Sequence, residues 1–435
     1  MTRRVWLVEV GEPLPVDEGA RSMRTGLLAR KLASMGYQVT WWADAFNHQR
    51  KTYRAPGNVT VQVGSGLTLE LLWGPPYSRN VSLVRFRNQR AVAAQFERLA
   101  PTRPAPDVIY CGYPTIELAH AAFSYADKRR VPLLVDVRDP WPHLFLSHVP
   151  RSLRWLGKLL LSGQFRMGRE VLRGATAVTS VSRSFLDWAL DYSGRGRNPR
   201  DEVFYLGYED PAGRSQEPVD LGPGPKGEVL RCLFIGTFGA SYDLHTVLAA
   251  ARRLQESGES GVQFVLAGDG PEAPRLREAA RGLSNVVLPG WLEAASLRYL
   301  LANSDVGLIA HNVPGAVPNK SFEYLSSGLA LLNTTKADLF DLIETHRLGL
   351  NYPVGDVEAL VSCVKTLLGD RERLRSMKAA ARALFHERFE AGAVYGALAA
   401  KLTGLADSPP ARQTLGGEKL QLLTEDAVLT RSGAP

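Results

Sequence analysis

The sequence predicts an α/β protein made of two Rossmann-like domains, each with a parallel sheet, facing each other across a cleft. Three observations carry this expectation. Short apolar runs alternate with helix-length amphipathic stretches along most of the chain. At 435 residues the chain exceeds the roughly 250–300 residues at which a single core stops growing. The alternation breaks once, between Asp210 and Glu228, in a stretch of Gly, Pro, Ser and acidic residues with no apolar period. The expected division is an N-terminal domain over 1–212, a linker over 213–228 and a C-terminal domain over 229–385. A terminal helix over 386–404 would pack back on the N-terminal domain, and a disordered tail would occupy 405–435.

Residues 4–10 read as a short buried strand, followed by a turn-rich loop over 11–20 that contains Asp17-Glu18-Gly19, and then by a helix near 21–36. Gly36 stops that helix, and Gln38 to Trp42 reads as the next strand. In a parallel unit of this kind the loop lies at the strand's carboxyl end, where such sheets bind ligands. A third strand is expected at 59–63, a basic helix at 80–99, a strand over 106–111, a helix near 115–128 and a strand over 132–137. That last strand delivers Arg138-Asp139-Pro140-Trp141-Pro142 to the sheet edge, as a site or as a structural turn. Residues 151–173 form a basic helical segment with Trp155 beside arginines, suited either to an anionic membrane surface or to packing on a sheet. A strand over 175–181 and a helix over 184–192 close the domain.

After the linker the pattern restarts. Strands are expected at 230–235, 262–267, 286–288, 306–310 and 329–332, with helices at 243–257, 272–282 and 294–303, another from 319, and a largely helical region over 356–403. Two strands end in glycine turns, Gly236-Thr237-Phe238-Gly239 and Gly268-Asp269-Gly270-Pro271, and a third leads to Pro289-Gly290-Trp291.

Composition excludes several classes. No apolar run approaches the ~18 residues needed to span a membrane, and the chain passes from Met1-Thr2-Arg3-Arg4 into a strand with no secretion signal. Cys111, Cys232 and Cys363 are far apart and form neither a disulfide framework nor a metal pattern, so a reducing cytosol is expected. The net charge of +8 calls for an anionic partner. Without a zinc finger, ribonucleoprotein motif or helix-turn-helix, nucleic acid is not expected. A Walker lysine motif and a GxGxxG fingerprint are both missing, which argues against an ATPase and a dinucleotide dehydrogenase.

The stretch Pro318-Asn319-Lys320-Ser321-Phe322-Glu323-Tyr324-Leu325-Ser326-Ser327-Gly328 concentrates the chemistry. Pro318 sets the entry of a helix, Asn319 is the expected N-cap, and the free N–H groups of the first turn favour an anion. Lys320 would neutralise phosphate, and Glu323, one turn on, can accept two hydrogen bonds from a ribose diol. The glycine turns at 236–239 and 268–271 would let backbone N–H groups approach phosphate oxygens. With no Asp-x-Asp pair in the sequence, no metal site is expected. His143, His148, His245 and His311 are read as structural.

In their order and spacing these motifs resemble the retaining, family-4-type glycosyltransferases of the GT-B fold, especially members serving bacterial surface-polysaccharide assembly. The resemblance rests on Ala267 to Pro271, Pro289-Gly290, Ser304-Asp305-Val306 and Pro318 to Gly328 in the C-terminal half. In the N-terminal half it rests on Val137 to Pro142 and Thr179 to Ser182. It implies a nucleotide-sugar co-substrate of UDP or GDP type, with no other cofactor, held mainly by the C-terminal domain. Glu323 would hold the ribose, and Lys320, Ser321, Asn319 and the loop of Gly236, Thr237 and Gly239 the diphosphate, with Gly268 and Gly270 behind them. Gly290 and Trp291 would frame the base. A glycan or lipid-linked acceptor would bind near Gly19, Asp136, Arg138 and Asp139, with Asp139 polarising the acceptor unless it is only an ion pair to Arg138.

Two positions depart from the family pattern. A second glutamate often stands eight positions before the ribose-binding one, where this chain has Gly315. The first C-terminal loop also lacks the usual Arg and Lys, which leaves Lys320 as the main phosphate cation. The resulting expectation is a metal-independent, retaining hexosyltransferase, cytoplasmic or peripheral at the inner membrane face. An epimerase of the same architecture and a non-catalytic basic membrane- or nucleic-acid-binding protein are the alternatives.

Overall fold

The computed structural model describes residues 3–19, 21–79, 82–147, 149–210, 215–221, 229–312 and 317–407. Among them run an eight-stranded and a six-stranded sheet. The first has the order Glu202–Val203, Ala177–Ser180, Leu133–Val137, Val108–Tyr113, Arg4–Val8, Gln38–Asp44, Leu67–Leu72, Val59–Gln62. All its pairs are parallel except the last. The third strand expected at 59–63 is found as Val59–Gln62, an antiparallel edge on Leu67–Leu72. Its exposure along nearly its whole length is what an edge strand shows. Leu67–Leu72, absent from the sequence expectation although Leu-Thr-Leu-Glu-Leu alternates, is the buried inner strand.

The C-terminal sheet is wholly parallel in the order Val286–Gly290, Val262–Ala267, Leu230–Ile235, Val306–Ile309, Ala330–Asn333, Gly349–Asn351. The direction of winding reverses between Leu230–Ile235 and Val306–Ile309 here, and between Arg4–Val8 and Val108–Tyr113 in the first domain. These reversals open crevices at the strands' carboxyl ends.

Helix Ala391–Ala406 crosses back to the first domain. Its Val394, Tyr395, Leu398, Leu402 and Leu405 are buried with Val5, Leu7, Leu28 and Leu32. Leu405, assigned from sequence to the tail, is 3% exposed and part of this helix; the tail from 408 on lies outside the described residues. Of the expected linker, the described portion 215–221 is tied to the C-terminal domain. Ala295 O accepts from Glu217 N at 3.2 Å, and Leu221 O accepts from Gln263 Nε2 at 3.0 Å. The domains also meet at Asp338, whose carboxylate accepts from Arg183 N at 2.6 Å and Ser184 N at 3.1 Å, at the start of helix Arg183–Ser193.

Candidate donor and acceptor site

In the C-terminal domain three loops are laced together before any ligand is considered. Strand Leu230–Ile235 ends at Gly236, whose N–H donates to Ala267 O at 3.0 Å; Phe238 N–H donates to Asp269 O at 2.8 Å. Gly268 N–H in turn donates to Gly290 O at 2.8 Å. A Cβ on Gly268 would lie 1.8 Å from Gly236 O, and one on Gly270 2.6 Å from Phe238 O. With φ of 153° and 154°, both positions also demand glycine conformationally. Gly268 and Gly270 thus seat the Gly236 loop by close packing. The sequence reading had given them a phosphate role.

Helix Asn319–Ser326 is locked to the same strands. Tyr324 lies flat against Gly307, where a Cβ would come within 2.2 Å of its ring, and its hydroxyl accepts from Ile235 N–H at 3.0 Å. Pro318, not Asn319, is the N-cap residue. Asn319 is the exposed first helical residue and makes no side-chain cap. The N–H groups at this helix start therefore have no side-chain oxygen on them.

Lys320 is 8% exposed and its Nζ has no hydrogen-bond partner. The ammonium sits 3.7 Å from the Phe234 ring centroid and 3.9 Å from that of Tyr242, and 3.1 Å from where a Gly236 Cβ would stand. Burial pulls its pKa down to about 7, against the raising effect of Glu323. Ser321 Oγ is also buried and unpartnered. A buried cation without an anion is costly, so this pair marks where an external anion would be stabilised.

Glu323 follows one turn on and is half-buried. Burial raises its pKa, opposed by Arg21 and by a hydrogen bond from Tyr208. Arg21 Nη1 reaches it from the N-terminal domain at 3.2 Å and stacks on Tyr208 with Cζ 4.4 Å from the ring centroid. Gly19 is exposed, with no atom within 4 Å of an added Cβ, and Arg21 follows two positions later. Thr237 and Trp291 are exposed, Trp291 by 69%, and Gly239 and Gly290 are half-buried at the rim. Gly315 and His148 lie outside the described residues.

The acceptor-side expectations need correction. Asp136 is 0% exposed and its two oxygens are saturated. Arg24 donates to both, at 2.7 and 2.8 Å, and Tyr110 and Thr179 hydroxyls donate at 2.7 Å each. These cations hold its carboxyl well below the usual range against burial. It faces no cleft. Arg138 belongs to the same buried network, with ion pairs to Glu12 and Asp136 and hydrogen bonds to Thr25 Oγ1 at 2.8 Å and Tyr110 Oη at 2.9 Å. Its guanidinium is committed to these partners. Beside it Glu9 fills the space beyond Gly112, where a Cβ would fall 1.5 Å from Oε2, and burial pushes its pKa up to about 8.

Asp139 is set apart from this network. Solvent reaches Asp139, yet partial burial pushes its pKa up to about 6, with Arg138 and Arg85 pulling the other way. No ion pair from Asp139 to Arg138 is formed among the described residues; the arginine's partners are Glu9, Glu12 and Asp136. His143 is packed edge-on against Phe165, Trp188 and Tyr192 and accepts from Trp188 Nε1 at 3.3 Å, a core histidine as expected. Among the described residues no group of three or more His, Cys, Asp or Glu could hold a metal ion.

Arg21, Tyr208 and Tyr242, which meet Glu323 and Lys320, were not legible in the sequence, nor was the buried network of Arg24, Glu9 and Glu12. The one available signal was positional, since Glu9 and Glu12 directly follow the central strand.

Residues 20–207 match the family described as glycosyl transferase 4-like domain, and residues 230–370 the family glycosyl transferases group 1. The sulfoquinovosyl transferase SQD2 of Arabidopsis thaliana is 24% identical over 297 residues, 64% of this chain and 52% of that protein. The chain thus spans about half the length of this curated relative. Among solved structures, the chain is similar to HepE from Anabaena in complex with UDP, with a TM-score of 0.64 at 15% identity over 93% of this chain and 100% of that one. Sucrose-phosphate synthase from Thermosynechococcus elongatus gives 0.68 at 15%, over 92% and 99%. WaaG, a glycosyltransferase involved in lipopolysaccharide biosynthesis, gives 0.61 at 13%, over 92% and 100%. With both halves matched in order and the two-domain fold shared along nearly the whole chain, this chain belongs to the group 1, family-4-like glycosyltransferases of the GT-B fold.

Proposed function

We propose that this chain transfers a glycosyl group, with retention of anomeric configuration, from a nucleoside-diphosphate sugar to a hydroxyl of a glycan or lipid-linked acceptor in cell-surface glycoconjugate synthesis. One observation carries the reading: the buried, unpartnered Lys320 Nζ and Ser321 Oγ at an uncapped helix start against the Gly236 loop, with Glu323 one turn on. The helix start and Lys320 would take the diphosphate, and Glu323 the ribose diol, displacing Arg21. The bond from anomeric carbon to phosphate oxygen breaks while the acceptor oxygen bonds to that carbon from the same face. The acceptor proton passes to the departing phosphate, whose charge Lys320 neutralises as it develops. Asp139 orients the acceptor hydroxyl. UDP is favoured over GDP as the nucleotide because similar structures were solved with UDP and UDP-glucose.

A panel of nucleotide sugars with and without glycan and lipid-linked acceptors tests the proposal. Free nucleoside diphosphate released only with acceptor, and a product with the donor's anomeric configuration, are expected. Sugar interconversion without acceptor would identify an epimerase instead.

A further inference from the structure

We propose that helix Arg154–Leu160 and its flanks form a docking surface for an anionic membrane. Among the described residues, Leu153, Trp155, Leu156, Leu159 and Leu160 are exposed by 48, 66, 38, 63 and 74%. These are large apolar side chains crowded into one short segment, and the helix has no buried residue. Its packed side is marked by Gly157, where an added Cβ would lie 2.8 Å from Leu146 Cδ2. At about 100° per residue, Trp155 and Leu159 fall on the side opposite Gly157, pointing away from the protein. Single exposed apolar residues are ordinary, but a contiguous patch rimmed by polar groups marks an interaction surface.

The segment itself carries only cations, Arg151, Arg154 and Lys158, with no Asp or Glu between 140 and 169; farther along, Arg166 is paired with Glu170 at 3.9 Å. That pattern selects the occupant. A second copy meeting this face about a two-fold axis would set the same cations against themselves. An anionic bilayer satisfies both features at once, its headgroups meeting the cations and its acyl boundary taking Trp155 and Leu159, with exposed Leu160 about 100° round the helix at their rim. The charge and exposure argument does not depend on the glycosyl-transfer reading. One consequence does rest on it. Leu146, against which the helix packs, lies in helix His143–Ser147, just after the Asp139 loop. A membrane docked there would bring lipid-linked acceptors to the acceptor wall.

The test uses the full chain sedimented with phosphatidylcholine vesicles with and without phosphatidylglycerol, at low and high salt. Two variants are compared, Trp155→Ser/Leu159→Ser/Leu160→Ser and Arg151→Gln/Lys158→Gln, each checked for folding by its thermal shift with UDP. The wild type is expected to bind only the anionic vesicles and to be released by salt. The apolar variant is expected to lose at least ~10-fold in partitioning, and the charge variant its preference for phosphatidylglycerol, both with unchanged UDP shifts. Absence of wild-type binding to anionic vesicles, equal binding by all three proteins, or a wild-type dimer that the apolar variant dissolves would overturn the proposal. A missing UDP shift in all three would count against the glycosyl-transfer reading and leave the docking surface standing.

Discussion

Replacing Lys320 with methionine separates what this residue costs the fold from what it contributes to the donor site. Its pKa is drawn from 10.5 to about 7 by burial. At ~1.4 kcal/mol per unit this sets a ceiling of about 5 kcal/mol on holding the ammonium in place. The Phe234 and Tyr242 ring faces return about 1–2 kcal/mol, and partial hydration lowers the cost further, to a working value of about 1–3 kcal/mol. The folded-state pKa lies below the unfolded one, so between these values the unfolded chain binds more protons and stability rises with pH. The penalty is full below about pH 7. Lys320→Met removes the charge at similar volume, so it is expected to stabilise the free protein by about 1–3 kcal/mol near pH 6 and by less near pH 9.

Donor binding runs the other way. An anion prefers the protonated lysine, so wild-type affinity for UDP should fall as pH rises above about 7, by up to ~10-fold per unit, with proton uptake on binding. In Lys320→Met that pH dependence should vanish and affinity drop by ~10–150-fold, the worth of a charged hydrogen bond. Calorimetry in two buffers of different ionisation enthalpy, together with denaturant unfolding at both pH values, reads every quantity. The reasoning is refuted if wild-type affinity for UDP is flat with pH, if the variant binds UDP as tightly as the wild type, or if it is the less stable protein at pH 6.

Glu323→Ala is expected to weaken UDP binding by ~10–100-fold and to abolish discrimination between UDP and its 2′-deoxy analogue; retained discrimination would remove Glu323 from the ribose site. Asp136→Asn leaves Arg24 and Arg138 buried beside a neutral group and should cost about 3–5 kcal/mol in urea unfolding, whereas a merely acceptor-binding Asp136 would leave stability unchanged. Asp139→Asn should keep UDP affinity but lower kcat by ~10–100-fold and erase the rise in activity through the pH at which this carboxyl ionises, about 6. The carboxyl's raised pKa means its stabilising effect fades as pH climbs toward that value, so the variant should be slightly the more stable above it. Gly268→Ala, with its Cβ driven into Gly236 O, should cost about 3 kcal/mol or more and abolish UDP binding; an unperturbed thermal transition would contradict the nested-turn packing.

The two-domain parallel architecture was legible because it is written in local patterns: apolar runs, helix-period stretches and glycine turns at strand ends. The same holds for the helix that begins beside Lys320, whose proline entry and Lys/Glu spacing are local. Elements whose character depends on neighbours were not legible. The burial of Leu67–Leu72 along both faces comes from its neighbours and is not told by its Leu-Thr-Leu-Glu-Leu alternation, and Val59–Gln62 looks like any short strand until its antiparallel partner is known. The short helix Asp338–His346 begins at Ala337 with φ of 63°, a conformation that local propensity disfavours.

What the residues alone determined was the two parallel α/β halves and the helix start at Pro318 to Gly328 that carries Lys320 and Glu323 one turn apart. The folded chain decided the rest, because burial and partnership arise from segments far apart in sequence. Lys320 acquires its unmet charge only when Phe234, Tyr242 and the Gly236 loop close around it. Asp136 and Asp139, three residues apart and alike in sequence, are separated by fold: one is sealed under two arginines and two hydroxyls, the other is exposed. And Arg21, unremarked in its loop, meets Glu323 from 302 positions away because two independently patterned domains come to face each other.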